Sequence, residues 1–182
     1  MIIKPTSIPG CYVITPKMYV DDRGIFVKLY ERELFESNSL ATIYVDEFFS
    51  HSKKGVFRGF HFQTPPLDQI KLISCVQGEV MDVIVDLRME SPTYGCIEIF
   101  ELSGDGGKML YLTEGIAHGF LAMTDKTIMH YKATKEYSPR HDSGVRWDSF
   151  GIKWPIVDLV ISERDLKFPN INEFISPFKY SK

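Results

Sequence analysis

Apolar and polar residues alternate most regularly in VMDVIVDL, residues 80–87. A two-residue period predicts a strand with Met81, Val83, Val85 and Leu87 on one face and Asp82 and Asp86 on the other. That suits a sheet with one face in a core and the other toward solvent or a polar cavity. Further strands are expected in GIFVKLYE, ATIYVDEFF, GVFRGFHFQ, IKLISCVQG, YGCIEIFEL, KMLYLTEG, HGFLAMT and TIMHYKATKEY. Turn residues separate them at 64–68, 77–78, 90–93, 103–107 and 124–126. Helix signals are few: a short helix over 31–38, and a turn or two after Pro155. Many short strands between frequent turns predict an all-β, antiparallel sandwich or barrel, with jelly-roll topology and short peripheral helices. No internal repeat or linker interrupts the chain, so a single domain over 1–182 is expected, with the final segment, containing Pro169 and Pro177, packed irregularly over the barrel.

The 182 residues are enough to bury a substantial core, and 25% charged residues is ordinary for a globular protein. A net charge of −3 argues against a nucleic-acid or anionic-membrane surface. No run approaches the ~18 apolar residues that span a bilayer. MIIKPTSIPGCYV lacks the apolar stretch of a secretory signal. Cys11, Cys75 and Cys96 are odd in number and lack metal-type spacing, so a reducing cytoplasm is expected.

The stretch SHSKKGVFRGFHFQTPPLDQIKL, residues 50–72, sets Arg58, His61 and Lys71 among strand formers. Ionisable groups on core strands need partners, because unpaired burial costs several kcal/mol. Alternation places Gly59, His61 and Gln63 on one face and Arg58 on the other, which is awkward if Arg58 and His61 serve one cavity. A bulge at Gly59, or use of Arg58 by a neighbouring subunit, would relieve this. Taken singly, each candidate has an ordinary explanation: His61 as a core histidine bonded to a carbonyl, Lys71 as a solvated strand end, His118 as a loop residue. Tyr131 and Tyr137 share a face if their strand is regular, which more often signals packing than catalysis. Together, a histidine base, a lysine ammonium and a phenol supply what is needed to move a proton beside a carbonyl.

The segments DDRGIF (21–26), KKGVFRGFHFQ (53–63), QIKL (69–72) and GEVMDVIVDLR (78–88) resemble those of the dTDP-4-dehydrorhamnose 3,5-epimerase family. So do SPTYG (91–95), EGIAHGF (114–120), YKATKEYSP (131–139), IKWP (152–155) and SERD (162–165). The resemblance implies a cupin-type jelly roll that inverts C3 and C5 of a nucleotide-linked 4-keto-6-deoxysugar. It further implies a homodimer in which a strand from one subunit completes the other's site. It makes His61 the base, Asp165 its dyad partner, Tyr131 the acid on the opposite ring face, and Lys71 the group near the ketone oxygen. Arg23, Arg58 and His118 match positions that contact the diphosphate or sugar. Phe26, Lys28, Asp46, Phe48, Tyr137, Asp142 and Arg164 complete the expected substrate-binding set. No metal and no redox cofactor are implied, and no Gly-rich dinucleotide turn is present.

The departures from the family pattern cluster around the nucleotide. Lys28 stands where the family has glutamate, and DEFFS replaces a QDNHS-like segment, putting Asp46, Phe48 and Phe49 in place of glutamine, asparagine and histidine. Asp142 and Arg164 replace glutamate and lysine, keeping charge but changing reach. A GDP- or CDP-linked substrate and inversion at only one carbon therefore stay open. So do a ketoisomerase that shifts the carbonyl, a non-catalytic sugar-nucleotide-binding cupin and a metal-dependent dioxygenase. The ketoisomerase does not need Tyr131 as a cross-face acid.

Overall fold

The computed structural model describes residues 1–181. In chain order the elements are β1 (Ile2–Pro5), β2 (Tyr12–Thr15), β3 (Met18–Asp21), β4 (Gly24–Val27), α1 (Arg32–Ser37), β5 (Asp46–Ser52) and β6 (Phe57–Gln63). There follow β7 (Lys71–Gln77), β8 (Glu79–Asp86), β9 (Ile97–Ser103), β10 (Met109–Leu112), β11 (Ile116–Ala122), β12 (Thr127–Ala133), β13 (Asp142–Gly144) and α2 (Glu163–Leu166). One sheet runs β1-β2-β10-β7-β12-β5, a second β13-β6-β11-β8-β9, and β3 with β4 forms a separate hairpin. Pairing within the sheets is antiparallel throughout, and the two sheets face each other as a cupin-type jelly roll. Among the described residues no helix is long and apolar enough to cross a membrane.

The central strands β7, β8, β10 and β11 are buried on both faces, which explains why they are nearly continuous apolar runs, whereas the outer strands β1, β5 and β9 are partly exposed. Between the sheets lie Ile73, Cys75, Val80, Ile84, Leu110, Phe120 and Met129. The outer face of the five-stranded sheet, including Phe57, Phe60, Phe62, Val83 and Val85, is covered by the C-terminal segment through Trp154, Phe174 and Phe178. The outer face of the six-stranded sheet is covered by Phe35 of α1, Leu40 and Tyr44. Burying these side chains is the main driving force for closing the barrel, at about 25 cal/mol per Å² of apolar surface.

The alternation in 80–87 takes its expected form: Met81, Val83, Val85 and Leu87 pack outward under the C-terminal cover. Asp82 and Asp86, on the other face, are fully buried. Some strands are shorter than their patterns suggested. GIFVKLYE stops at Val27, since Leu29 and Tyr30 turn back to pack with Phe35, and TIMHYKATKEY stops at Ala133. The short helix over 31–38 appears as α1, and the turn after Pro155 as α2.

The conflict between Arg58 and His61 is resolved by a bulge. Against β11, His118 pairs with His61 but Phe120 pairs with Arg58, so β6 carries one extra residue there. Gly59 makes this possible: its φ is +144°, and a Cβ on it would lie 2.4 Å from Gly119 Cα. The extra residue resets the alternation, so Phe57, Phe60 and Phe62 face outward while Arg58, His61 and Gln63 face the interior.

Candidate active site

A cavity of about 270 Å³ opens between the two sheets, lined by side chains from both. β6 contributes Arg58 and His61, β7 Lys71, β11 His118, and β12 Tyr131; Phe48 comes from β5 and Asp142 from β13. Tyr137 and Arg164 complete its rim.

His61 is held from behind by α2. The Ser162 hydroxyl caps this helix by accepting from the Asp165 N–H at 3.1 Å, fixing a carboxylate that is only 2% exposed. Asp165 Oδ2 lies 2.9 Å from His61 Nε2 and accepts from the Gly59 N–H at 3.3 Å. Burial pushes the Asp165 carboxyl up, but His61, Arg164 and the Gly59 N–H outweigh it and bring it down to about 2. The carboxylate is therefore ionised throughout the neutral range.

Burial dominates at His61, lowering its pKa despite the opposing pull of Asp165, while Arg164 and Lys71 lower it further. The ring is thus neutral at pH 7 and able to accept a proton. Arg164 Nη2 also lies 2.8 Å from Nε2. One ring nitrogen thus faces both an acceptor and a donor: protonated, it bonds Asp165; unprotonated, it accepts from Arg164. Arg164 is itself braced by Asp142 Oδ2 at 2.6 Å and Asp165 Oδ1 at 3.1 Å.

Lys71 opens β7 with its side chain in the interior, donating to the His61 carbonyl at 3.4 Å. Burial lowers it to about 8, with Asp142 pulling the other way. Tyr131 is 8% exposed, and burial raises its phenol far above the ordinary value, so it keeps its proton at neutral pH. Its ring stacks on Phe48 and meets His118 edge-on. Arg58 is anchored to β5 through Ser52 Oγ at 3.1 Å.

Two residues matter here that the sequence did not single out for roles. Asp82 Oδ2 lies 2.8 Å from His118 Nε2 and orients that imidazole, while Asp82 Oδ1 has no hydrogen-bond partner. The polar face of 80–87 was the signal for it. Gln63 bonds the Leu67 and Glu136 carbonyls through its amide nitrogen and accepts from the Ser138 N–H at 2.6 Å, tying down the loop that carries Tyr137. Tyr137 therefore reaches the cavity from a loop rather than from a continued strand, and its hydroxyl bonds Asp142 at 3.2 Å.

Four expected residues lie elsewhere. Arg23 and Phe26 sit on the β3–β4 hairpin, where Arg23 pairs among the described residues only with Asp21, at 2.6 Å, and Phe26 is 65% exposed. Lys28 pairs with Glu31 at 3.1 Å, and Asp46 begins β5 beside Ala133, outside the cavity lining. Among the described residues no three His, Cys, Asp or Glu side chains converge as metal ligands would.

A neutral imidazole backed by a carboxylate, a nearby ammonium and a protonated phenol equip one pocket for proton removal and return. The fold and cavity are those of an acid–base isomerase built on a jelly roll. The family model for dTDP-4-dehydrorhamnose 3,5-epimerase matches residues 5–173. The chain belongs to that family. A dTDP-4-dehydrorhamnose 3,5-epimerase of Methanothermobacter thermautotrophicus is 41% identical over 173 residues, covering 92% of this chain and 93% of the relative. Among solved structures, the Legionella pneumophila dTDP-6-deoxy-D-glucose-3,5-epimerase in complex with dTDP-4-keto-L-rhamnose superposes with a TM-score of 0.93 at 32% identity, covering 100% of this chain and 99% of that one. A 3'-monoepimerase of Streptomyces bikiniensis in complex with dTDP-quinovose gives 0.88 at 30% identity, over 92% and 87% of the two chains.

Proposed function

We propose that this protein inverts C3, C5 or both in a nucleotide-linked 4-keto-6-deoxysugar of the dTDP-4-dehydro-6-deoxyglucose type, through an enolate, in deoxysugar or surface-polysaccharide assembly. The observation that carries the reading is the convergence of the His61–Asp165 pair, Lys71 and the Tyr131 phenol on one cavity. His61 takes the proton from the carbon beside the ketone, and Asp165 stabilises the resulting imidazolium. The Lys71 ammonium stabilises the enolate oxygen. Tyr131 gives its proton to the opposite face, and the phenolate is reprotonated from solvent. Arg58, His118, Tyr137, Asp142 and Arg164 hold the sugar and diphosphate, with the unpaired acceptor Gln69 Oε1 on the cavity lining available to a substrate hydroxyl.

Arg23, Phe26 and Lys28 fit this scheme as residues that complete the site of a second copy in a homodimer. Support comes from the hairpin, whose Tyr19, Val20, Ile25 and Phe26 are all exposed apolar residues. Asp46 belongs to the same nucleotide-facing set. A single domain in the cytoplasm is consistent with three cysteines that are all free thiols.

Incubation with dTDP-, GDP- and CDP-linked 4-keto-6-deoxysugars in heavy water, read by NMR, tests the reading. Deuterium at C3 or C5 with the ketone retained at C4 is expected, and His61→Ala should nearly abolish its incorporation. Migration of the ketone, or appreciable washout by that variant, would overturn the assignment. Sedimentation analysis of wild type and Phe26→Asp tests the dimer; a wild-type monomer with full activity would remove it.

A further inference from the structure

Phe48 stands directly opposite Tyr131 in the register of β5 and β12. The two rings lie 4.9 Å apart, centroid to centroid, and only 14° from parallel. Among the described residues the other aromatic contacts are edge-on or tilted, for example Phe57–Trp154 at 4.8 Å and 64° and Tyr30–Phe35 at 4.9 Å and 63°, apart from a wider His118–Phe120 stack at 6.4 Å and 26°. The His118 ring meets Tyr131 at 6.0 Å and 68°. Phe48 is nevertheless 45% exposed and sits on the strand that ends the six-stranded sheet. A half-exposed phenyl on an edge strand adds little to the core, and its aromatic partner among the described residues is the phenol.

We propose that Phe48 is a positioning residue for Tyr131, its stacked ring fixing the phenol in the orientation from which the O–H reaches the reacting carbon. The inference rests on the acid role given to Tyr131 above. Proton removal by His61 breaks the C–H bond and leaves its electron pair in the enolate. The enolate then either takes the Tyr131 proton on the far face, inverting the carbon, or recovers a proton on the near face. In heavy water the second path, after exchange at His61, gives deuterium without inversion. Loosening the phenol shifts partitioning toward that second path and leaves the first step intact. Ser50 and Arg58 are the other polar groups of β5 and β6 at the phenol, and neither supplies a flat surface that could replace the ring.

The test follows deuterium washout and inversion separately by NMR, with dTDP-4-keto-6-deoxyglucose as the probe, for wild type, Phe48→Ala, Phe48→Leu and Phe48→Tyr. Leucine keeps apolar bulk on the strand and guards against misfolding of the alanine variant; tyrosine keeps the stack. Exchange should persist in all four. The ratio of inversion to exchange should fall about three- to tenfold in the alanine and leucine variants, the size a ring contact of this kind carries, and recover in the tyrosine variant. An unchanged ratio overturns the inference. Equal loss of exchange and inversion also overturns it, because Phe48 would then act through substrate binding or folding. A wild-type protein that neither exchanges nor inverts any of the dTDP-, GDP- and CDP-linked 4-keto-6-deoxysugars overturns the acid–base reading itself, a result distinct from either of those.

Discussion

Titration through the alkaline range interrogates the burial of Lys71. Its ammonium lies between the sheets, and its pKa falls from 10.5 to about 8. That difference corresponds to about 3 kcal/mol of preference for the uncharged amine, at ~1.4 kcal/mol per tenfold change in proton affinity. If the ammonium stabilises the enolate, turnover should fall about tenfold per pH unit above pH 8, whereas an ordinary lysine would hold its charge to ~10.4. Tyr131 does not confuse the limb, because burial moves its titration the other way, above the ordinary tyrosine value. The folded pKa is depressed, so between about 8 and ~10.4 the unfolded chain binds more protons than the native state, and stability should rise with pH in that window. At pH 7 the charged form is present and its desolvation opposes folding. Lys71→Met should therefore melt higher at pH 7 while losing about 10²–10³ in turnover and the limb near pH 8. Asp142→Asn removes a group that raises the Lys71 pKa, so its limb should move to lower pH. Stopped-flow or NMR rates between pH 6 and 10, with calorimetry at matching pH values, supply the measurements. Rates flat to pH 10 in wild type, or a limb that survives in Lys71→Met, would refute the reasoning.

Arg164→Gln removes a positive neighbour that lowers the His61 pKa, so the acid limb of the pH–rate profile should move to higher pH; an unmoved limb in the variant's profile contradicts the Arg164–His61 contact. Tyr131→Phe should retain deuterium washout but lose most inversion, and equal inversion rates would remove Tyr131 as the acid. Gly59→Ala would set a Cβ 2.4 Å from backbone Cα of Gly119 at a φ of +144°. It should destabilise the fold by about 1–3 kcal/mol or more, read as a lowered denaturation midpoint. An unchanged midpoint would show that the bulge is not needed.

Most strands from 55 to 133 are legible because they carry seven or eight residues of regular pattern between clear turns, and four-residue β10 is legible as the compact apolar run MLYL. β1, β2 and β3 escaped notice at four residues each, with prolines at 5, 9 and 16 breaking up what periodicity there was. Strict alternation could show that Arg58 and His61 conflicted but not how; the answer depends on Gly119 lying against Gly59, a contact between distant segments. Asp165 has no local signal, since its link to His61 spans more than half the chain and only the family resemblance points to it. Asp82 carried a local signal, an acid on a buried strand, without any indication that His118 would lie across from it. The hairpin residues were expected in the site from the same resemblance, and within one chain they sit apart from it.

The apolar blankets outside both sheets have a consequence for variants far from the cavity. They keep bulk water off the back of the strands, so the proton affinities of Lys71, His61 and Tyr131 depend on their thickness. Truncating Phe178 or Phe35 would let solvent relax those affinities toward aqueous values. Damage to the outer wrapping would then register as a redrawn pH–activity curve, even in preparations whose circular dichroism looks native.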